Sequence, residues 1–357
     1  MFAGRAVPTV LLCVILAPSA PAQTADPLFA GWSFAPESVG SRPAGLGGAF
    51  VALADDAKAA YVNPAGLSLV PLTEVSLSSG ERWASAAIGL RRIHFAGYLT
   101  RHEEATASLA GSAWEGGLSA AFRPRRRLSL GATVAWSRLS LETSDSAAVG
   151  GPVASGDDTN VRLTLGMLIA LTDTSRRSLP ALRLGISFQP GFDWSIPVAR
   201  TPGASPGPVD VRRPTLVSTG LAWRPTDRWT ITVQGDIIRY QEVVTTLERN
   251  DAAAAAGFFL PNAVEPRLGL EFGAPLWCGC GVVKIRSGIH YRSPGTLRYG
   301  GPDDAVARAF NQNDWETVAT LGASILSEYF GYALRLDIDA KDVFHGPELS
   351  FGLVFRF

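Results

Sequence analysis

Few residues in this sequence have the types and spacing that catalysis or metal binding needs. The four histidines, His94, His102, His290 and His345, are scattered, and none has the spacing of a metal ligand set. There is neither a G-x-S-x-G nucleophile motif nor a P-loop, and residues 45–48 do not match the G-x-G-x-x-G dinucleotide-binding pattern. The sequence therefore predicts a protein that is not an enzyme, and no cofactor or metal is expected.

Composition and the amino terminus indicate an exported protein. The 357 residues are 46% hydrophobic but only 18% charged, and 32 basic residues balance 32 acidic ones, so there is no positive field for binding a nucleic acid. Arg5, the apolar residues 7–16 and the small Ala20 and Ala22 predict a signal peptide over residues 1–22. No later run approaches the ~18 apolar residues of a membrane-spanning helix.

The mature chain keeps one pair of cysteines, in Cys278-Gly279-Cys280. An exported protein can form a local disulfide here, although the strain of so small a ring favours reduction or reshuffling. Two cysteines without nearby histidines make a poor zinc site. A structural role is favoured, and the oxidation state of the pair stays open.

From about residue 73 onward, apolar and polar residues alternate strictly. In residues 229–237, Ile231 and Val233 alternate with Thr232 and Gln234. A soluble sandwich and a membrane barrel both give this pattern. Strands of ~10 residues, aromatic residues at the short turns and full charges on the polar face favour the barrel. Ile231 then faces lipid and Thr232 the lumen, so Ile231→Arg is expected to destabilise the barrel far more than Thr232→Arg.

The predicted fold class is all-β, a transmembrane antiparallel β-barrel of about 14 strands over residues 73–357. The strands are expected at residues 73–79, 85–92, 93–101, 115–123, 128–142, 160–172, 181–190, 213–224, 228–242, 265–274, 281–293, 316–326, 331–341 and 347–357. An even number is typical of single-chain bacterial barrels. The last strand alternates and ends at Phe357, which is typical of the signal that outer-membrane assembly machinery reads. These features predict the bacterial outer membrane.

Residues 23–72 do not alternate. They contain a Gly-rich turn, a strand-like stretch at 49–53, and a short helix that Asp55 or Asp56 caps and that Asn63-Pro64 ends. Fifty residues with one short helix cannot form a core of their own. We therefore expect residues 23–72 to form a hatch inside the barrel.

The same stretch resembles the FadL-type outer-membrane transport family. The matching residues are Gly47-Gly48-Ala49, Ala54-Asp55-Asp56-Ala57 and Asn63-Pro64-Ala65-Gly66. The resemblance implies a fourteen-stranded barrel closed by a hatch, with Asn63, Pro64, Ala65 and Gly66 in the gating segment, and transport of long-chain fatty acids or other hydrophobic compounds. Secretion-associated PorV-like barrels look similar over the same residues.

Two other groups of residues are candidates for function. Charges on the polar face either brace barrel and hatch as ion pairs or contact a substrate headgroup; they are Lys284, Arg286, Arg335, Asp337 and Asp339. In the loop from Asp251, an alanine run favours a short helix with Asp251 at its cap, followed by an apolar knob of Phe258, Phe259 and Leu260. The knob either binds cargo or packs back onto the barrel rim.

Two functions are therefore open. The first is passive transport of hydrophobic small molecules, captured at apolar outer loops and passed through the lumen or sideways. The second is a non-transporting PorV-like barrel that docks or shuttles exported proteins. The expected partners are a hydrophobic ligand, the lipid bilayer and, through Phe357, the assembly machinery. An apolar cavity would favour transport, and a filled lumen with a large flat loop surface would favour docking.

Overall fold

The computed structural model describes residues 29–36, 40–70, 73–79, 82–106, 109–143, 153–172, 181–199, 207–250, 252, 255–311, 314–329, 332–344 and 347–357. The predicted signal peptide, Asp251 and His345 lie outside the described residues. None of the helices in these ranges has the length and apolar character of a membrane-crossing helix.

The alternating region forms a closed barrel. Its strands are β1 Glu74–Ser78, β2 Trp83–Leu90, β3 Ile93–Ala105, β4 Leu109–Arg125, β5 Leu128–Thr143, β6 Val153–Ala170, β7 Leu182–Gln189, β8 Phe192–Ala199, β9 Gly207–Arg213, β10 Leu216–Trp223, β11 Trp229–Ile238, β12 Phe258–Phe259, β13 Ala263–Pro275, β14 Gly281–Arg292, β15 Arg298–Tyr299, β16 Glu316–Tyr329, β17 Tyr332–Lys341 and β18 Glu348–Arg356. All of these except β8, β9, β12 and β15 pair antiparallel around one ring, which β1 closes by pairing with β18. The fourteen-stranded barrel is thus confirmed.

Each of the fourteen predicted strands overlaps a barrel strand, but β3, β4 and β6 extend further at the outer end than predicted, and β11 ends at Ile238 rather than at 242, where a helix over Gln241–Asn250 has already begun. The added residues lie at the outer end, and polar residues such as Glu103, Glu104, Ser112 and Asp157 are frequent there. A part of a strand that extends beyond the hydrocarbon layer contacts water instead of lipid, so its outer face does not need to be apolar. The alternation that located the strands therefore ends before the strands do.

The two faces of the barrel are inverted relative to a soluble protein. On β11, Val233 is 53% exposed on the outside, whereas Gln234 and Asp236 are buried on the inside. At the end of the barrel with the short turns, Trp223, Trp229, Trp277, Tyr332 and Phe357 are all exposed. An apolar outer band with an aromatic girdle is the surface that a bilayer covers.

One expectation about the lumen is wrong. Thr232 faces inward as predicted, but its hydroxyl donates to the Gly269 carbonyl at 3.2 Å in a packed region. A side chain at Gly269 would come within 2.8 Å of the Leu46 carbonyl oxygen. The lumen is filled here rather than wet, so Thr232→Arg has no space for its side chain and is not a mild change.

The cost of placing a charged side chain on the outer face depends on its depth in the bilayer, and this dependence provides a better test of which face contacts lipid. Leu268 lies in the middle of β13 and Val264 near its outer end, and both side chains are exposed. Leu268→Arg should cost about 2–4 kcal/mol of barrel stability, and Val264→Arg about 0–1 kcal/mol. Urea unfolding in lipid vesicles measures both. Equal losses would contradict the assignment of this face to lipid.

Residues 40–70, called here the inner segment, lie inside the ring of strands. The helix α1 Ser41–Gly45 contacts β14, β16, β17 and β18, and the 3-10 helix Pro64–Leu69 contacts β2 to β6 on the other side. Between them lies the helix α2 Ala59–Val62. Nearly all side chains of the inner segment are buried. The boundaries 23–72 of the predicted hatch stay a prediction.

Details of the inner segment differ from expectation. Residues 41–45 are helical, and residues 49–53 contain no strand, since 51–53 form a turn. The N-cap residue of α2 is Lys58 rather than Asp55 or Asp56, although Asp56 Oδ1 accepts a hydrogen bond from Lys58 N at 3.1 Å. Both carboxylates instead bind Arg42, because a buried carboxylate is stabilised far more by a cation than by a helix end. The predicted helix end at Asn63 is confirmed.

The outer end of the barrel carries extra structure. Strands β8 and β9 form a hairpin that pairs with the outer part of β6, and the helix α3 Gln241–Asn250 packs on β9. The helix α4 Asp304–Phe310 lies near β15. The helix predicted for the alanine run is wrong for the described residues, since α3 ends at Asn250 and residues 255–257 are turns.

Candidate functional site: an outer cavity above the inner segment

A cavity of about 110 Å³ lies at the outer end of the lumen. Its walls come from residues 32–36, from the outer parts of β3 to β5, and from the start of β10 with the adjoining hairpin β8–β9. Tyr61 of the inner segment forms part of its base. The cavity therefore lies between the outside of the barrel and the inner segment.

One side of the cavity is apolar. The side chains on this side are Trp32, Phe34, Leu139, Trp194, Val211 and Leu216. Trp32 is seated closely, because a side chain at Gly111 would come within 2.3 Å of its ring. The Trp194 indole donates to the Ser137 carbonyl at 3.0 Å, which fixes its ring in the wall. An apolar molecule in this space would lose contact with water on that side.

The rest of the lining contains a polar cluster that Glu115 ties together. Arg162 donates to Glu115 at 2.6 and 3.0 Å and to Gln189 at 2.9 Å, and its guanidinium lies 4.4 Å from the Tyr61 ring centroid. Arg213 donates to Glu115 at 3.2 Å and to the Tyr61 hydroxyl at 2.9 Å. Two guanidinium groups share one carboxylate, so this cluster carries a net positive charge, while Glu104 elsewhere in the lining is acidic.

Of these polar groups, Arg213 is the one that reaches the cavity best. Its side chain is 21% exposed, whereas that of Arg162 is 1% exposed. Burial raises the pKa of the Tyr61 hydroxyl, so Tyr61 remains protonated at neutral pH. A ligand with an apolar body and one polar or anionic end would meet matching groups on both sides.

Residues 29–36, which precede the inner segment, close the cavity on one side. Ser33 N donates to Glu104 Oε1 at 2.7 Å, and Phe34 N donates to the Gly295 carbonyl at 2.8 Å. Phe29, Trp32 and Phe34 pack in an apolar cluster with residues of β4, β5, β8 and β9. The sequence analysis did not single out this segment. The aromatic spacing in Trp32-Ser33-Phe34 was the available signal.

The predicted lumen charges lie elsewhere, in an ion-pair network around the inner segment. Arg335 binds Asp56 and Asp337 at 3.0 Å each, and Arg286 binds Asp337 at 2.9 Å and Asp339 at 3.2 Å. Lys284 binds Glu271 at 2.8 Å, and Glu271 also forms an ion pair with Arg42 of the inner segment. None of the five predicted residues lines the outer cavity. Their contacts are those of the bracing alternative.

Lys284 and Arg335 line a second cavity, of about 570 Å³, at the end with the short turns. Its other charged residues are Arg42, Asp55, Arg224, Asp227, Arg228, Glu271 and Arg356. The inner segment thus separates the outer cavity, which is apolar only in part, from a charged cavity that we call the lower vestibule.

The predicted gating residues join the inner segment to β5 and β6. The Asn63 amide donates to the Val51 carbonyl at 2.8 Å and to the Met167 carbonyl of β6 at 3.2 Å. Its oxygen accepts from Ala65 N at 3.3 Å. A side chain at Gly166 would come within 2.2 Å of Asn63 Oδ1, and one at Gly131 within 2.4 Å of the Pro64–Ala65 backbone. Both glycines provide the space in which this turn is seated.

The predicted apolar knob is largely packed rather than exposed. Leu260 is buried, and the Phe258 ring lies 4.7 Å from the Phe310 ring and 5.1 Å from the Tyr299 ring. Only Phe259 is exposed, at 46%. The reason is that β12 pairs with β15 and turns Phe258 into the apolar cluster of the outer end. None of the three residues lines the outer cavity.

The ion pairs of Asp55 should respond to acid only at low pH. Burial by itself raises the pKa of the Asp55 carboxyl, but Arg42, Arg224 and Arg183 hold that pKa well below its usual range. Such a carboxylate stabilises the docked state above its unfolded pKa of about 3.9 and loses this contribution as pH falls further. Conductance in planar bilayers should therefore rise as the pH falls below about 4. Equal conductance at about pH 5 and about pH 3 would contradict this assignment.

Comparison with known proteins identifies the fold. No protein-family model matches the chain, and no curated protein does. A Pseudomonas aeruginosa FadL homologue has a TM-score of 0.65 at 12% identity, covering 90% of this chain and 98% of that one. The CymD monoaromatic hydrocarbon channel gives 0.55 at 14%, covering 90% and 99%. The Pseudomonas putida toluene transporter TodX gives 0.54 at 12%, covering 90% and 98%. The predicted resemblance is therefore confirmed for the fold.

Proposed function

We propose that this protein is an outer-membrane channel for the passive uptake of hydrophobic small molecules. The observation that carries the proposal is the apolar outer cavity, which lies directly above the inner segment and is continuous with its Tyr61. The fold is shared with a toluene transporter and a monoaromatic hydrocarbon channel. The apolar outer band and the aromatic girdle support placement in a bacterial outer membrane, with the short turns facing the periplasm.

The size of the cavity indicates which part of a ligand it holds. An apolar cavity of about 150 Å³ binds benzene, and the outer cavity has about 110 Å³. A single ring or a short alkyl stretch is therefore the expected occupant. Burying about 200 Å² of apolar surface would contribute roughly 5 kcal/mol to binding. A long-chain fatty acid would place part of its chain here and would require residues 32–36 to move.

We infer a route with two stages. A ligand first enters the outer cavity, with a polar end toward Arg213. Movement of the inner segment then connects that cavity to the lower vestibule. In this proposal Asn63, Pro64, Ala65 and Gly66 form the hinge region of the hatch, and the ion pairs of Arg335 and Asp56 hold it closed.

One observation favours the alternative, a barrel that docks exported proteins. The lumen is occupied by the inner segment, whose side chains are almost all buried. Because a permanently filled barrel would pass nothing, ligand uptake decides between the two functions. We expect Phe357 to contribute to barrel assembly in either case.

The transport proposal is tested by filling the cavity. Ala113 of β4 lines it, whereas Ala120 on the same strand is exposed on the outer face. Ala113→Phe should reduce toluene uptake into proteoliposomes by about tenfold or more, because its ring occupies the space of the ligand. Ala120→Phe, with the same added volume, should leave uptake unchanged. If wild-type vesicles took up no more toluene than empty ones, the docking function would replace this proposal.

Phe259, the exposed residue of the predicted knob, gives a prediction with a smaller expected effect. Phe259→Ser removes an exposed ring and should slow capture of a hydrophobic ligand roughly two- to fivefold without affecting stability. Phe258→Ser removes a packed ring and should lower the melting temperature of the outer end instead. Stopped-flow binding and thermal unfolding separate the two effects. Slower capture by Phe258→Ser alone would contradict this division.

A further inference from the structure

The turn between β13 and β14 carries the two cysteines of the mature chain. Cys278 and Cys280 are bonded to each other, with Gly279 between them in the left-handed region at φ +67°. Trp277, Cys278, Gly279 and Cys280 are all exposed. The turn lies at the same end as the carboxyl terminus of β18, which is the end assigned to the periplasm.

This disulfide adds little to the stability of the fold. The two strands already pair up to Pro275 and Val282. Leu276 N donates to the Gly281 carbonyl at 2.8 Å, and Gly279 N donates to the Leu276 carbonyl at 2.9 Å. A cross-link over a single intervening residue also removes less chain entropy than one that closes a long loop. The turn is therefore closed without the bond between the sulfurs.

The turn lies next to the lower vestibule, and both of its cysteines are accessible from outside. Pro275 and Val282, which flank the turn, line the lower vestibule. Both sulfur-bearing residues are exposed, and access to the sulfur is one of the factors that set the rate of disulfide exchange. In addition, Cys280 N lies 3.4 Å from Cys278 Sγ and donates to it.

We propose that Cys278–Cys280 is a redox-active disulfide that accepts two electrons from a dithiol protein on the periplasmic side. A thiolate of the dithiol attacks Cys280 Sγ, the bond to Cys278 Sγ breaks, and the Cys278 thiolate leaves with the Cys280 N–H as its hydrogen-bond donor. The second thiol of the partner loses its proton to solvent and attacks the mixed disulfide. The partner is then oxidised to a disulfide, and Cys278 and Cys280 take up two protons as free thiols.

The exchange can be measured by counting thiols on the folded barrel. The mature chain is mixed in detergent with a reduced thioredoxin-like protein that contains a Cys-x-x-Cys dithiol, then acid-quenched and alkylated for intact mass spectrometry. We expect the barrel to gain two thiols for every two that the partner loses. The reduction rate of the folded barrel should be within about threefold of that of the heat-unfolded barrel.

Two variants complete the test. In the double variant Cys278→Ser/Cys280→Ser, the partner should lose no thiols, and unheated gel mobility should match that of the wild type. With a partner that lacks its second cysteine, the mixed disulfide should map to Cys280. A folded barrel that stays oxidised, or is reduced more than about 100-fold more slowly than the unfolded chain, would overturn the proposal. So would loss of the folded form on reduction, because the disulfide would then be a structural staple.

Discussion

Arg42→Ala should release the inner segment from the barrel wall and raise conductance at least ~10-fold while the barrel stays folded. Arg42 is buried and binds Asp55 at 2.5 Å, Asp56 at 3.3 Å and Glu271 of β13 at 3.0 and 3.1 Å. It is thus the one side chain of α1 that joins the carboxylates of the inner segment to a strand. Removing it leaves three buried carboxylates with fewer cations.

The expected size of the conductance change follows from the free energy that is lost when a buried ion pair is broken. Removing one partner of such a pair typically costs about 3–5 kcal/mol, since the other charge stays buried without compensation. The loss applies to docking of the inner segment and not to the strands, whose backbone hydrogen bonds do not involve Arg42. Glu271 also keeps its contact with Lys284 at 2.8 Å. The undocked population should therefore rise more than about 100-fold.

Three measurements follow this variant. Conductance in planar bilayers reports the opening, limited proteolysis reports exposure of the inner segment, and unheated gel mobility reports the barrel. Arg138→Ala is the matched control, because Arg138 forms an exposed pair with Asp157 that contributes about 0–1 kcal/mol. Wild-type conductance and protease resistance in Arg42→Ala would show that Arg42 does not hold the inner segment.

The barrel strands could be predicted because one physical constraint acts along their whole length. A residue such as Val233 must face lipid and its neighbour Gln234 must face the lumen, so each strand carries a period of two. Counting the segments that show this period led to the predicted number of about fourteen strands. The period fails at the outer ends of β3, β4 and β6, where polar residues such as Glu103, Ser112 and Asp157 interrupt the apolar face.

The site was less predictable, because its contacts join residues that are far apart in the chain. From the neighbouring sequence alone, Asp55 and Asp56 resemble helix caps. Their ion pairs with Arg42 and Arg335 exist only because the fold brings these residues together. Phe258 looked exposed because its partner Phe310 comes from a helix about fifty residues later. The outer cavity combines Trp32, Arg162 and Arg213, and no local pattern connects these positions. Asn63 was found because its constraint is local, a helix end followed by proline.

Asn63→Ala should loosen the inner segment at its other end. Asn63 is fully buried, and its amide supplies two hydrogen bonds to carbonyls, one of them on β6. Its oxygen caps the 3-10 helix that starts at Pro64. Alanine cannot replace these bonds, and buried polar groups left without partners cost about 1–3 kcal/mol. The open population should rise about 5- to 150-fold.

The strands keep their own hydrogen bonds in Asn63→Ala, so the change in docking is separable from assembly. Uptake of toluene by vesicles should therefore increase, with unchanged heat-modifiable gel mobility. Asn311→Ala is the matched control: the Asn311 amide donates to the Tyr299 carbonyl at 2.8 Å, and neither residue contacts the inner segment or lines the outer cavity. Because Arg42 and Asn63 hold opposite ends of the same segment, their effects should also be coupled, with the double variant less than additive once the segment is free. Equal and substantial uptake by wild type and Asn63→Ala would show that this turn does not limit the path, and would leave Arg42 as the controlling contact.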